Sequence, residues 1–251
     1  MNLVLLEPEE LREDGTAHLA GRRAAHAALV LRAAAGDRIR VGVIGGRSGE
    51  ALVERIGDSE VVLRPTLDRD PPPPAPVSLL LALPRPKILR RVLQAVASMG
   101  VKRLVLLGSW RVEKSYWGSP ALEPDAIRAE LVLGLEQGRD TVLPEVRVRP
   151  RFKPFVEDEL AEAFPEATRL LADPSGAAPL GALAPAGPGA ALAVGPEGGF
   201  TAYEAAALRE RGYAPFSLGD RILRVDTAVS FAVGQVDLWL RGSSRPPARL
   251  P

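Results

Sequence analysis

The apolar residues of this chain are patterned in two different ways, and the change falls at one segment. In "DRIRVGVIG", "EALVERIG" and "EVVLRP" short β-branched runs partly alternate with polar residues, and glycine-containing turns separate them. Such runs predict half-buried strands, preceded by one helix over roughly Arg22 to Ala34. Beyond "LDRDPPPPAP" the alternation stops. "VSLLLALP" is an apolar run without period-2 alternation, as a strand buried on both faces should be. Ile88, Leu89, Val92, Leu93, Val96 and Met99 then recur at helical spacing, and Gly100 supplies a stop.

The same order repeats to the end of the chain. It predicts strands at "VKRLVLLG", "EVRVRP", near Arg169 to Leu171, Ala190 to Val194 and Pro215 to Leu218. Between them it predicts helices near Pro124 to Gln137, Phe155 to Ala163 and Ala202 to Arg211, with a last helix over about Ala228 to Leu240. Strands alternating with helices argue an α/β fold with a mostly parallel sheet. The four successive prolines from Pro71 to Pro74 lock φ and offer no amide donors, so a linker is placed over residues 71–76. It divides a β-rich, barrel-like domain (1–70) from an α/β domain (77–242), with a flexible tail over 243–251.

Composition narrows the chemistry. The 251 residues contain no cysteine and only two histidines, His18 and His26. Disulfides, thiol catalysis and cysteine-based metal sites are thereby excluded, and no transition-metal site is expected. No apolar stretch is long enough for a bilayer span, and no basic-then-apolar leader opens the sequence, so the protein is expected in the cytoplasm, away from membranes. A net charge of +1 gives no global basic field; any polyanion partner must be met by local patches.

Two strand–glycine–helix units carry the candidate chemistry. In "ALAVGPEGGFTAYEAAALRERG", Thr201 and Glu204 have capping-box spacing, so the glycine turn ends on a helix N-terminus. Neither dinucleotide-binding nor phosphate-loop spacing is present. Alone, the turn is as readily a tight connection as a ligand loop. The second unit, "FSLGDRILRVDTAVSFAVGQVDLWL", sets Asp220, Arg221, Arg224 and Asp226 around Ile222 and Leu223. These charges suit a solvated loop, and Asp226 or Thr227 suits a helix cap. Yet both turns follow strand ends, where open parallel sheets bind ligands. The pair is therefore the signal.

Together, "AVGPEGGFTAYE" and "LGDRILRVDTA" resemble the SPOUT class of RNA methyltransferases, specifically the 16S ribosomal RNA uracil-N3 methyltransferase family of RsmE type. "AAHAALVLRAAAGDRIRV" and "EQGRDTVLPEV" extend the likeness over nearly the whole chain. The resemblance implies a small PUA-like barrel that engages RNA and an α/β domain with a deep trefoil knot. It also implies S-adenosylmethionine as cofactor and a homodimer with active sites at the subunit interface. Carried over by position, Gly195, Glu197, Gly198 and Gly199 form one cofactor wall, and Leu218, Gly219, Ile222, Leu223 and Thr227 the other, with Leu218 and Leu223 around the adenine. Arg221 and Arg224 are candidates to hold the uracil or its phosphate, and Glu197 to orient the cofactor or accept a proton. Arg22, Arg23, His26 and Arg32 on the first helix, with Lys87 and Lys114, are candidates for RNA contact.

The pattern also departs from the family. "VASMGV" lacks a carboxylate usual after the first helix of the catalytic domain, Asp226 stands where Glu is usual, and "RVEKSYWGSPALEPD" replaces a common basic loop. A ribose 2′-hydroxyl methyltransferase, an enzyme for another uridine, and an inactive RNA-binding paralogue are the alternatives.

Overall fold

The protein is described by a computed structural model covering residues 2–25, 32–57, 60–174 and 178–243. It divides into two compact units, Met1–Pro73 with Leu131–Leu143, and Pro74–Glu130 with Pro144–Pro251.

The first unit contains β1 (Val4–Leu6), β2 (Ala17–Ala20), α1 (Gly21–Ala25), β3 (Arg38–Val43), β4 (Ser48–Ile56) and β5 (Glu60–Arg69). They form one sheet in the order β1-β3-β4-β5-β2, antiparallel except for β1 against β3. Alternation along β3 to β5 turns Ile39, Val41, Ala51, Val53, Val61 and Leu63 to one face, where they build the core with Val4, Leu6 and Leu19. The pairing of β4 with β5 slips at Ser48/Gly49 and at Val53/Arg55. Such bulges sharpen strand bend and twist, and the curled five-stranded sheet fits the small barrel expected from its pattern.

Two details differ from the expected elements. β5 continues through Leu67, Asp68 and Arg69, with Leu67 opposite Gly49 and Arg69 opposite Ser48, before the prolines end it. Around the first helix, α1 is described only to Ala25, residues 26–31 with His26 lie outside the described residues, and Arg32 to Ala34 are not helical. Arg32 has φ of 50°, which no right-handed helix accommodates.

Glu136, on the 131–143 segment, is 1% exposed and receives both Arg22 terminal nitrogens at 3.2–3.3 Å. Burial raises its pKa above the ordinary carboxylate value, with Arg22 pulling the other way. The folded state therefore holds this proton more tightly than the unfolded chain does. That contribution to stability is complete below the ordinary glutamate pKa of about 4.3 and is lost as pH rises through the raised value. Glu136→Gln should gain stability relative to the parent as pH rises from acid to neutral, measured by urea unfolding across that range. A difference constant with pH would contradict the assignment.

The second unit runs β6 (Val77–Ala82), α2 (Pro86–Ser98), β7 (Arg103–Leu107), α3 (Pro124–Gly138, belonging to this unit only as far as Glu130), β8 (Glu145–Arg149), α4 (Phe152–Pro154), α5 (Leu160–Ala163), β9 (Thr168–Ala172), β10 (Ala190–Val194), α6 (Ala202–Glu210), β11 (Ala214–Phe216) and α7 (Val225–Ser243). Its sheet has the order β11-β9-β10-β6-β7-β8, and every neighbouring pair is parallel. β6, apolar but for Ser78, and the wholly apolar β10 are the central pair, buried along their whole lengths. On one face Leu80, Val105, Ala191 and Ala193 pack against Phe155, Leu160 and Leu208 of the covering helices. The helix expected over Phe155 to Ala163 is instead α4 and α5 joined by a π turn over Phe155–Glu159. It begins earlier because Pro154 falls in the first turn, where no amide donor is needed. The tail expected over 243–251 lies outside the described residues beyond Ser243.

Candidate functional site

The sheet order reverses around β10, which inserts between β9 and β6, so the carboxyl ends of these strands open a crevice at a switch point. β10 feeds directly into the glycine turn. Gly199 has φ of +70°, a conformation that strains side chains other than glycine, and its amide donates to the Pro196 carbonyl at 2.8 Å. At Gly195 a Cβ would stand 3.0 Å from the Phe200 nitrogen and 3.2 Å from Gly199 Cα. Only a bare backbone lets the turn fold back this closely. Glu197 points its carboxylate to the start of α2, accepting the Arg85 amide at 3.2 Å with Arg85 Nε at 3.8 Å.

The turn ends in the expected capping box. Thr201 accepts from the Glu204 amide at 3.3 Å, and Glu204 accepts from the Thr201 amide at 2.8 Å. Glu204 has a second task that the local pattern does not show. Buried to 3% exposure, its carboxylate also accepts from Ser109 Oγ at 3.1 Å and the Trp110 amide at 2.8 Å. This fastens the turn after β7 to the start of α6. The next residue, Arg111, donates to the Gly198 carbonyl.

The second loop follows β11, which ends at Phe216 rather than Leu218; Ser217 forms only an isolated bridge with Pro179. This frees Leu218 for the loop. Gly219, with φ of +109°, donates its amide to Ser217 Oγ at 3.0 Å. The two loops enclose a cleft of about 500 Å³. Gly195, Glu197, Gly198 and Gly199 line it from one side, and Leu218, Gly219, Arg221, Ile222 and Leu223 from the other. Arg111 completes the rim.

Thr227 is placed elsewhere, in a shallow groove with Arg91, Asp226 and Phe231. α7 begins at Val225, three residues earlier than its apolar pattern predicts, because the Ala228 amide already bonds the Arg224 carbonyl at 2.7 Å. Asp226 therefore sits inside the first turn, where a carboxylate suits the helix dipole, and it pairs with Arg91 at 3.4 Å instead of with Arg224. Arg224 is exposed and stands between Leu223 and Val225, both of which line the cleft.

Charges around the cleft do not cancel. Arg209 is paired with Asp173 at 3.0 Å, and Glu197 is occupied by Arg85. Among the described residues no carboxylate pairs with Arg111, Arg221 or Arg224. These guanidinium groups keep free donors in a fixed planar fork, suited to an anion or to uracil-like carbonyls.

The other candidates for polyanion contact divide. Arg22 is held by Glu136, and Arg23 by Glu10 and the Leu5 carbonyl, so both serve the first unit internally. Arg32, Lys87 and Lys114 are exposed. In the basic strand "RVRPRFK", Arg147 pairs with Glu145 and Arg149 with Glu159, each at 2.6 Å. Among the described residues no cluster of histidine and acidic side chains is arranged to hold a metal, and no helix is long and apolar enough to cross a membrane.

Comparison with known proteins adds a separate line. Residues 71–237 match a family model described as an RNA methyltransferase domain. The ribosomal RNA small subunit methyltransferase E of Treponema pallidum is 30% identical over 259 residues, covering 99% of this chain and 97% of that protein. The protein of the same name from Synechocystis is 29% identical over 248 residues, covering 94% and 77%. Among solved structures, the ribosomal RNA small subunit methyltransferase E of Neisseria gonorrhoeae bound to S-adenosyl methionine aligns with a TM-score of 0.73 at 23% identity, covering 95% of this chain and 98% of that one. At that identity the likeness is one of fold.

Proposed function

The chain belongs to the RsmE-type branch of the RNA methyltransferase family, and on that premise we propose that it uses S-adenosylmethionine to methylate N3 of a uridine in 16S ribosomal RNA. The observation that carries the reading is the cleft between the two glycine loops. Its volume lies within the roughly 300–1,000 Å³ of small-molecule sites, and its walls are mainly backbone and apolar side chains, suited to an uncharged adenosine. Leu218 and Leu223 are assigned to the adenine, and the Gly195–Gly199 backbone to the polar edges.

When bound, S-adenosylmethionine supplies an electrophilic methyl group. The residues of this chain have the remaining work. N3 becomes nucleophilic when its proton passes to solvent water, and negative charge then spreads to the flanking uracil oxygens. Arg221 at the cleft and Arg224 beside it are assigned to stabilise that charge with their guanidinium donors. Glu197, committed to the Arg85 amide, is assigned to hold the glycine turn against α2. The target base has to leave its stack to reach the cleft.

The barrel-like unit is assigned to RNA in the manner of PUA-like domains, and the two loops to the knotted segments of the SPOUT fold. A homodimer fits α7, where Phe231 and Leu238, seven residues apart and so on one face, are 46% and 73% exposed. With ribosomal RNA as its substrate, the protein is assigned to the cytoplasm.

Nucleoside mass analysis of 16S RNA from a deletion strain tests the assignment. Loss of 3-methyluridine is expected, and loss of a ribose-methylated nucleoside instead would overturn it. Gly195→Ala is expected to weaken S-adenosylmethionine binding about tenfold in calorimetric titration, about 1.4 kcal/mol, because the new Cβ crowds Phe200 and Gly199. Unchanged affinity would remove the turn from the cofactor wall.

A further inference from the structure

Trp110 is 87% exposed, although tryptophan usually covers most of its large apolar body. The backbone that presents it is nonetheless fixed at every step. Ser109 Oγ and the Trp110 amide both donate to Glu204, the Val112 amide closes the turn on the Ser109 carbonyl at 3.0 Å, and Arg111 is tied to Gly198. Val112 is buried behind the turn. The backbone that exposes the indole, one residue before the cleft-lining Arg111, is thus held by the same carboxylate that caps α6.

Its surroundings select the occupant. Arg111, Glu113 and Lys114 are exposed beside it in sequence, so its neighbours along the chain are charged, as at a polyanion site, rather than apolar, as at the core of a protein interface. Arg111 lines the cleft together with Arg221, and neither has an acidic partner among the described residues. An exposed aromatic side chain on a held backbone, one residue from an unneutralised guanidinium group of the cleft, matches the chemistry that binds single-stranded nucleic acid, in which bases stack and phosphates are drawn by charge.

We infer that Trp110 is a stacking platform for a nucleobase of the RNA substrate at the mouth of the cleft, an inference that rests on the RNA-methyltransferase reading above. Trp110 would act on substrate placement and not on the cofactor.

The test uses the full chain with Trp117→Phe and Trp239→Phe, which leaves Trp110 as the one indole of the three. With S-adenosylhomocysteine present, a uridine-containing oligoribonucleotide is expected to quench its emission, and an abasic oligomer of equal length and charge is not. In methyl transfer, Trp110→Ala is expected to raise the KM for RNA roughly 5- to 150-fold, as loss of one stacked base would, while Trp110→Phe keeps most of the parental value. S-adenosylhomocysteine affinity should be the same in all three proteins. Equal response to both oligomers, or an unchanged KM in Trp110→Ala, overturns the inference while leaving the enzymatic reading intact. Emission that changes with protein concentration and not with RNA also overturns it, by showing that the indole packs on a second copy. Failure of the parent protein to methylate RNA or bind S-adenosylhomocysteine would instead overturn the enzymatic reading.

Discussion

Arg224→Ala is expected to bind S-adenosylmethionine as the parent does and to transfer its methyl group roughly 10²- to 10³-fold more slowly, the loss typical of removing one preorganised donor to a developing oxyanion. The fold needs only the backbone here, since the Arg224 carbonyl accepts the first bond of α7 from Ala228. Its side chain is exposed and has no acidic partner among the described residues, because Asp226 is turned to Arg91. Melting temperature should therefore not move. Leu223 and Val225 line the cleft on either side of it, so the guanidinium group is tethered within one residue of the cofactor walls. Arg224→Lys keeps the charge but loses the planar fork and should recover only part of the rate. Single-turnover transfer, with calorimetry for the cofactor, separates these effects. Full activity in Arg224→Ala would remove it from catalysis and leave Arg221, which lines the cleft directly, as the donor.

Much of this arrangement is legible along the chain wherever the determinant is local. β6 and β10 are recognisable as central strands because they are apolar without alternation, and Gly100, with φ of +80°, ends α2 where the pattern stops. The two glycine loops are legible as a pair because each follows a strand end. What the pattern hides is contact between distant side chains. Glu204 reads as half of a capping box, but its bonds to Ser109 and Trp110 span 95 and 94 residues. Arg22 reads as a cation for RNA, yet its partner Glu136 lies 114 residues away on a helix whose apolar stripe gives no sign of it. Asp226 reads as a cap or a partner for Arg224 because those are its neighbours in sequence, whereas Arg91 comes from α2. In "VASMGV", Ser98 returns its hydroxyl to the Ala95 carbonyl at 2.8 Å.

Glu204→Ala should be the most damaging substitution for the architecture of the site. One buried carboxylate receives four donors, the amide and hydroxyl of Thr201, the hydroxyl of Ser109 and the amide of Trp110. The hydroxyls can turn elsewhere, but the two amides are fixed by the backbone and would be left without an acceptor. Orphaned buried donors cost about 1–3 kcal/mol each, so a loss of about 3 kcal/mol is expected overall. For a chain of this size that lowers the melting temperature by roughly 6–12 °C. Glu204→Gln keeps the shape but presents an NH₂ group to one of the donors, and should fall between parent and alanine variant. Cofactor affinity should drop in step with stability, since Glu204 is what joins the Ser109–Trp110 turn to the end of the glycine loop. Saturating S-adenosylmethionine should restore part of the melting temperature, because only the folded cleft binds it. A Glu204→Ala protein that melts as the parent does would show that the turn after β7 is held by Arg111 and Gly198 alone. The rigidity on which the Trp110 platform depends would then have to come from that single bond.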